Sequence, residues 1–134
     1  MFTIAANSVI TEISGSPFST AGTGPSAILS GSSNIYVANK AVSGSTSGNI
    51  TGYSLATSGT TFSLTVISTI SAGISTNSLA VDNTGTYILA ANPGGTPDLS
   101  TFTFDTTTTG KLDAAATAST GTDPVQAIVV VAHP

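Results

Sequence analysis

Tyr53, which opens the stretch "YSLATSG", has a counterpart 51 residues earlier in Phe2 of "FTIAANSVI" and another 49 residues later in Phe102 of "FTFDTTTTG". A second landmark returns the same two offsets: Ile28 in "PSAIL", Leu79 in "NSLAV" and Ile128 in "QAIVV". Two independent landmarks with one pair of spacings define a unit of about fifty residues, present three times in circularly shifted form. A period of this length belongs to architectures whose units cannot bury their apolar faces alone and must stack on neighbours.

Within the unit, four short strands can be read. Strand A is "SAILS" or "SLAVD", apolar enough to be buried on both faces. A turn, "GSSN" or "NTGT", supplies Gly and Asn for the positive φ of a tight hairpin. Strand B is "IYVAN" or "YILAAN", so Val37 and Ala90 fall in the same strand of successive units. A loop rich in Gly, Ser or Pro leads to strand C, "ITGYSLA" or "LSTFTFD", with apolar residues alternating. A second turn, "TSGT" or "TTTTG", leads to strand D, "FSLTVISTIS" or "KLDAAATAS". Composition agrees: Ser and Thr make up about a third of the chain, with one Glu, two Lys, no Arg and one Met, so helix formers are scarce while turn formers abound (14 Gly, 6 Pro).

Four antiparallel strands repeated at this period predict an all-β chain, a β-propeller segment of about two and a half to three four-stranded blades. A β-sandwich has no reason to repeat its sequence at a fixed offset. The expected division is strands C and D of a first blade at 1–23, a second blade at 24–73, a third at 74–123, and a closing strand A at 124–134.

The phrases "GSPFSTAGTGPSAI", "IYVAN", "DNTGTYILAAN" and "GTDPVQAIVVVAHP" resemble the seven-bladed lactonase-type propellers, the family of 6-phosphogluconolactonase, and the related YVTN-type surface propellers. In such rings a C-terminal strand A closes onto strands B, C and D from the N-terminus. The resemblance implies that this chain corresponds to the C-terminal blades of a longer propeller. It also implies a hydrolytic site of histidine, glutamate and arginine in the central cleft. No catalytic residue is carried over, because the chain has no arginine, its Glu12 falls in outer strand D, and His133 is the penultimate residue.

The remaining chemistry is sparse. A net charge of −4 without arginine excludes the clustered cations that binding a nucleic acid or an anionic membrane requires. No apolar run approaches the roughly 18 residues of a membrane span, and "MFTIAANSVI" has no basic n-region of a signal peptide. Zero cysteines exclude disulfides and thiolate metal sites. Asp82 in "VDNTGT" reads as a turn cap, and Asp98, Asp105, Asp113 and Asp123 are scattered, so no metal motif and no cofactor site is assigned. Asp123-Pro124 reads as a shaped link into strand A. "NPGGTPDLS", 92–100, is a B–C loop rather than a phosphate-binding loop, since no Lys-Ser/Thr follows. The Thr run 106–109 reads as a hairpin tip, and "NIT", 49–51, is formally a glycosylation sequon. Tyr36, Tyr53, Tyr87, Phe62, Phe102 and Phe104 are expected to pack between blades.

The reading that follows is a structural or interaction module that completes its ring with copies of itself or with missing blades. A two-chain ring of about six blades is the simplest closure, strands C and D at 1–20 completing a blade around another copy's 124–134. A fragment of a lactonase-like hydrolase and an extracellular adhesive or glycan-binding surface are the alternatives, and a cell-surface location suits the parent protein.

Overall fold

The computed structural model describes residues 2–31, 33–59 and 61–121. The described residues form an all-β structure of three antiparallel sheets, without a helix. A hairpin of β1 (Phe2–Ile4) and β2 (Ile10–Glu12) stands by itself. The first four-stranded sheet runs in chain order through β3 (Thr23–Ser30), β4 (Asn34–Ala41), β5 (Ser47–Ser58) and β6 (Thr61–Ile74). The second does the same through β7 (Ser78–Val81), β8 (Tyr87–Ala91), β9 (Leu99–Phe104) and β10 (Leu112–Ala118).

The repeat read from the sequence is matched in the register of the ladders. Ile28 lies opposite Val37, and Leu79 lies opposite Ala90. Tyr53 pairs with Ile35, and Phe102 pairs with Ile88. The two landmarks thus occupy the same node of two separate sheets. Turn chemistry sets these registers locally. In the β7–β8 turn the Gly85 amide donates to the Asp82 carbonyl over 3.0 Å, and Gly85 takes φ 72°, which glycine adopts at no steric cost.

Because side chains alternate along a strand, each sheet has two faces. Ile28, Ile35, Val37, Tyr53 and Leu64 share one face of the first sheet, here called its front; Leu29, Tyr36, Ala38 and Ile50 share its back. The corresponding front of the second sheet carries Leu79, Ile88, Ala90, Phe102 and Leu112. The core of the molecule is the back of the first sheet pressed on the front of the second: Tyr36 and Ile50 meet Ile88, Ala90, Phe102 and Leu112, flanked by Leu29, Ile70, Ala72, Leu79 and Phe104. Full burial of side chains this size stabilises by about 1.5–3 kcal/mol each. The Ser26 hydroxyl adds a 2.8 Å bond to the Thr76 carbonyl, fastening β3 to the chain that enters β7.

Two expectations fail here. Strand A was expected to be buried on both faces, but β3 is an edge strand and Ile28 on its front is 71% exposed. Not all the aromatics pack between sheets. Tyr36, Phe102 and Phe104 do, with Tyr36 and Phe104 ring centroids 6.0 Å apart, and Tyr53 is buried. Tyr87 is exposed and Phe62 only half-buried, because the sheet positions they hold have no facing sheet among the described residues.

Candidate functional site

The positions where the two sheets differ despite equal register define the candidate site, a partly covered apolar face. Leu79 packs against the core, while Ile28 at the same node stands in solvent. The front of the first sheet is covered in part: Ile35 and Tyr53 are buried, Val37 and Leu64 half-buried and Ile28 exposed. Pro17, Phe18 and Thr20 lie beside Ile28, Ile35, Val37, Tyr53 and Leu64, bounding a groove of about 290 Å³. The β1–β2 hairpin shows the same deficit. Phe2 is 60% exposed, whereas Tyr53 and Phe102, its counterparts in the repeat, are each 2% exposed. Ile4, Val9 and Ile10 of the hairpin are exposed as well.

The covered part is held by polar side chains that anchor the segment running into β3. Asn39, at the end of "IYVAN", is fully buried; its amide donates to the Thr20 carbonyl over 2.9 Å and to Asn49 Oδ1 over 2.8 Å. Asn49 in turn donates to the Ala21 carbonyl over 3.0 Å. The Thr51 and Tyr53 hydroxyls donate to the carbonyls of Thr20 and Ser19. Burial raises the Tyr53 hydroxyl above the usual phenol range, which keeps it a donor. In this way residues 19–21 cross the front of the first sheet.

The second sheet buries the matching asparagine, with partners in its own loop, in β9 and in the chain entering β7. Asn92, at the end of "ILAAN", donates to Ser100 Oγ over 3.0 Å and to the Pro97 carbonyl over 3.2 Å, and its Oδ1 accepts from the Thr76 hydroxyl over 2.9 Å. Ser71 and Ala72 lie beside Ser100 and Phe102, where Thr20 and Ala21 would stand after a shift of 51 residues. Glycine is required at the crossing. A Cβ on Gly22 would sit 2.6 Å from Asn39 Cβ, and one on Gly73, 51 residues on, would collide with Asn92 in the same way. One atom breaks the symmetry. Asn39 Oδ1 is buried without a donor, because the position 51 residues before Thr76 is Pro25, which has no hydroxyl.

Among the described residues, those singled out in the sequence do not converge on one site. Asp82 accepts from the amides of Thr86 and Tyr87, both at 2.8 Å, and from the Thr84 hydroxyl, which holds its carboxyl below the usual range; it is a turn cap. Asp98 is buried and accepts from the Thr120 hydroxyl at 3.0 Å and the Thr120 amide. Asp105 and Asp113 share the Lys111 ammonium, at 2.6 and 3.0 Å. Glu12 is exposed on the hairpin. Among the described residues no three of His, Cys, Asp and Glu gather to hold a metal ion, and no helix is long and apolar enough to cross a membrane.

Loop 92–98 joins β8 to β9, and its Gly94 amide donates to the Ile74 carbonyl over 3.1 Å. The Thr run 106–109 lies in the β9–β10 connection. In the "NIT" triplet Asn49 is 6% exposed with its amide nitrogen engaged, so the folded chain presents no glycan acceptor there. His133, Asp123, Pro124, Ile128 and the closing strand expected at 124–134 lie outside the described residues.

Sequence reasoning missed the paired asparagines. The signal was present: both B strands end in Ala-Asn, and a glycine precedes each strand A landmark by six residues, Gly22 before Ile28 and Gly73 before Leu79. No protein-family model, curated protein or solved structure matches the chain.

Proposed function

We propose that the chain is a structural and interaction module of the β-propeller type. In this reading, fifty-residue sheets stack front on back around a central axis. The chain supplies two whole blades and, in the β1–β2 hairpin, the C and D strands of another. Its ring is completed by further blades, from copies of itself or from another chain. One observation carries the reading: Leu79 and Ile28 share a register position, yet among the described residues only Leu79 has a sheet to pack against. A sheet face of this kind left in water is a surface for a partner. The strand order 3-4-5-6 and 7-8-9-10, each a simple meander, supports the same reading, as does the fully buried asparagine at the same position of both sheets.

The test is the particle itself, its mass from light scattering and its shape from electron-microscope images. Sheets arranged radially around an axis are the expected result. A monodisperse lone chain that binds no hydrophobic dye overturns the reading.

A further inference from the structure

We infer that the outer edge of β6 is a pairing edge for a second copy of this chain, the two β6 strands joining antiparallel about a two-fold axis. The contact runs through the backbone at the side of the first sheet and so goes beyond the module reading, which concerns the faces of the sheets. β6 is bonded to β5 along one side, and among the described residues no strand pairs with the other. A free row of amides and carbonyls is a template for a further strand unless something blunts it. The other edge strands are blunted. β3 carries Pro25 with a bulge beside it, and β7 has four residues and runs into Asp82. β10 has Asp113 and a bulge between Ala114 and Ala116, and β1 and β2 have three residues each. β6 has 14 residues, rich in Thr, Val and Ile, with neither a proline nor a charge among them.

Part of β6 is already engaged. Ile70 and Ala72 pack against the core, and Ser71 lines a cleft with Ala114 and Ala116 of the second sheet, which leaves 61–69 as the free stretch. A strand paired with its own copy about a two-fold axis sets each residue near the centre against itself or a close neighbour, so a charge there would face its like. This stretch has none. Its middle is Thr65, and a pair centred there places Leu64 of each copy opposite Val66 of the other. Both residues lie on the front, as their partners Leu55 and Tyr53 on β5 do. The axis, perpendicular to the sheet, keeps the two fronts on one side. Val66 is 50% exposed in the single chain, and the pair gives it an aliphatic neighbour. The ladder slips between Gly52 and Tyr53, opposite Val66 and Ser68, so the match ends just past Val66. The middle of this edge is thus its own complement, which is what makes a second copy its partner.

The experiment uses the whole chain and reads backbone hydrogen exchange of 61–69 across a concentration series, with mass from sedimentation velocity. Thr65 is exposed, so the single chain tolerates Thr65→Lys and Thr65→Glu; Ser63→Lys, also at an exposed position, takes the place of either one that circular dichroism shows unfolded. Exchange of the wild-type stretch is expected to slow as concentration rises. Each variant alone is expected to lose that slowing and to pair about tenfold more weakly or worse, because like charges meet at the centre. Mixed one to one, Thr65→Lys and Thr65→Glu are expected to regain it, the ammonium of one copy meeting the carboxylate of the other. Wild-type exchange that is independent of concentration overturns the second copy as partner, and a multimer seen at the same time leaves the module reading standing. Variants that pair as tightly as the wild type overturn the edge itself. A mixture that stays unpaired overturns the two-fold pair centred on Thr65.

Discussion

The Tyr36 hydroxyl donates a 3.0 Å hydrogen bond to the Gly110 carbonyl, joining the first sheet to the β9–β10 turn of the second across 74 positions of chain. The ring lies in the apolar contact beside Phe104, so one side chain serves both the packing and the polar closure of that contact. Burial raises the hydroxyl above the usual phenol range, which keeps its proton in place for the bond. Gly110 accepts it with φ 80°, a conformation glycine takes without strain.

Tyr36→Phe keeps the ring and removes the donor, leaving the Gly110 carbonyl without that partner. It is expected to cost about 1–2 kcal/mol. Tyr36→Ala loses the packing as well and is expected to cost about 3–5 kcal/mol. Urea unfolding with an unchanged denaturant slope checks both. Equal losses in the two variants would show that the hydroxyl, and not the ring, carries the contact.

Asn92 Oδ1 has the Thr76 hydroxyl, and Asn39 Oδ1 has no donor. Thr76→Val preserves shape and puts the second clasp in the condition of the first. The expected loss is about 1–2 kcal/mol, the cost of orphaning one buried acceptor. Thermal or urea midpoints read it. A change within error would mean that neither acceptor within reach of the hydroxyl, Asn92 Oδ1 or the Gly73 carbonyl at 3.1 Å, depends on it for stability.

How much of this was legible in the sequence depends on what each residue needs from its surroundings. Tyr53 and Phe102 could be aligned from letters alone, because strand alternation and turn glycines fix where an apolar side chain falls within its own sheet. The coverage of a face is a property of the neighbouring sheet, and no local pattern reports it. For that reason Ile28 and Tyr87 read as buried and stand exposed. The clasps were harder for another reason. Asn39 and Asn92 look like ordinary turn residues after a strand, and their role depends on backbone carbonyls such as those of Thr20 and Pro97, which every residue type supplies equally.

The glycines at the crossings are open to a direct test. Gly22→Ala and Gly73→Ala each place a methyl on an asparagine that is itself fully buried and bonded. Overpacking of this kind typically costs about 1–3 kcal/mol. Gly59→Ala serves as the control, since space around Gly59 is open and its φ of 59° leaves only backbone strain. Loss at Gly22 and Gly73 no larger than at Gly59 would remove close packing as the reason for glycine there.

Asp105 sets the expected response to pH. Its carboxylate receives the Lys111 ammonium first of all, then the Thr107 hydroxyl and the amides of Thr108 and Thr107, and is held well below the usual carboxylate range. Lys111 is correspondingly raised by Asp105 and Asp113. A carboxyl depressed on folding contributes stability above its unfolded value, about pH 4, and loses it as the pH falls through the lower folded value. A raised amine contributes below its unfolded value, about pH 10.4, and loses that contribution as the pH rises through the folded one. Wild type and Asp105→Asn are therefore expected to differ in urea midpoint by a constant amount across the neutral range. The difference should narrow below about pH 4 and again above about pH 10.4. A gap that persists undiminished at pH 2 would assign the effect to the hydrogen-bonded shape of the turn instead of to the charge on Asp105.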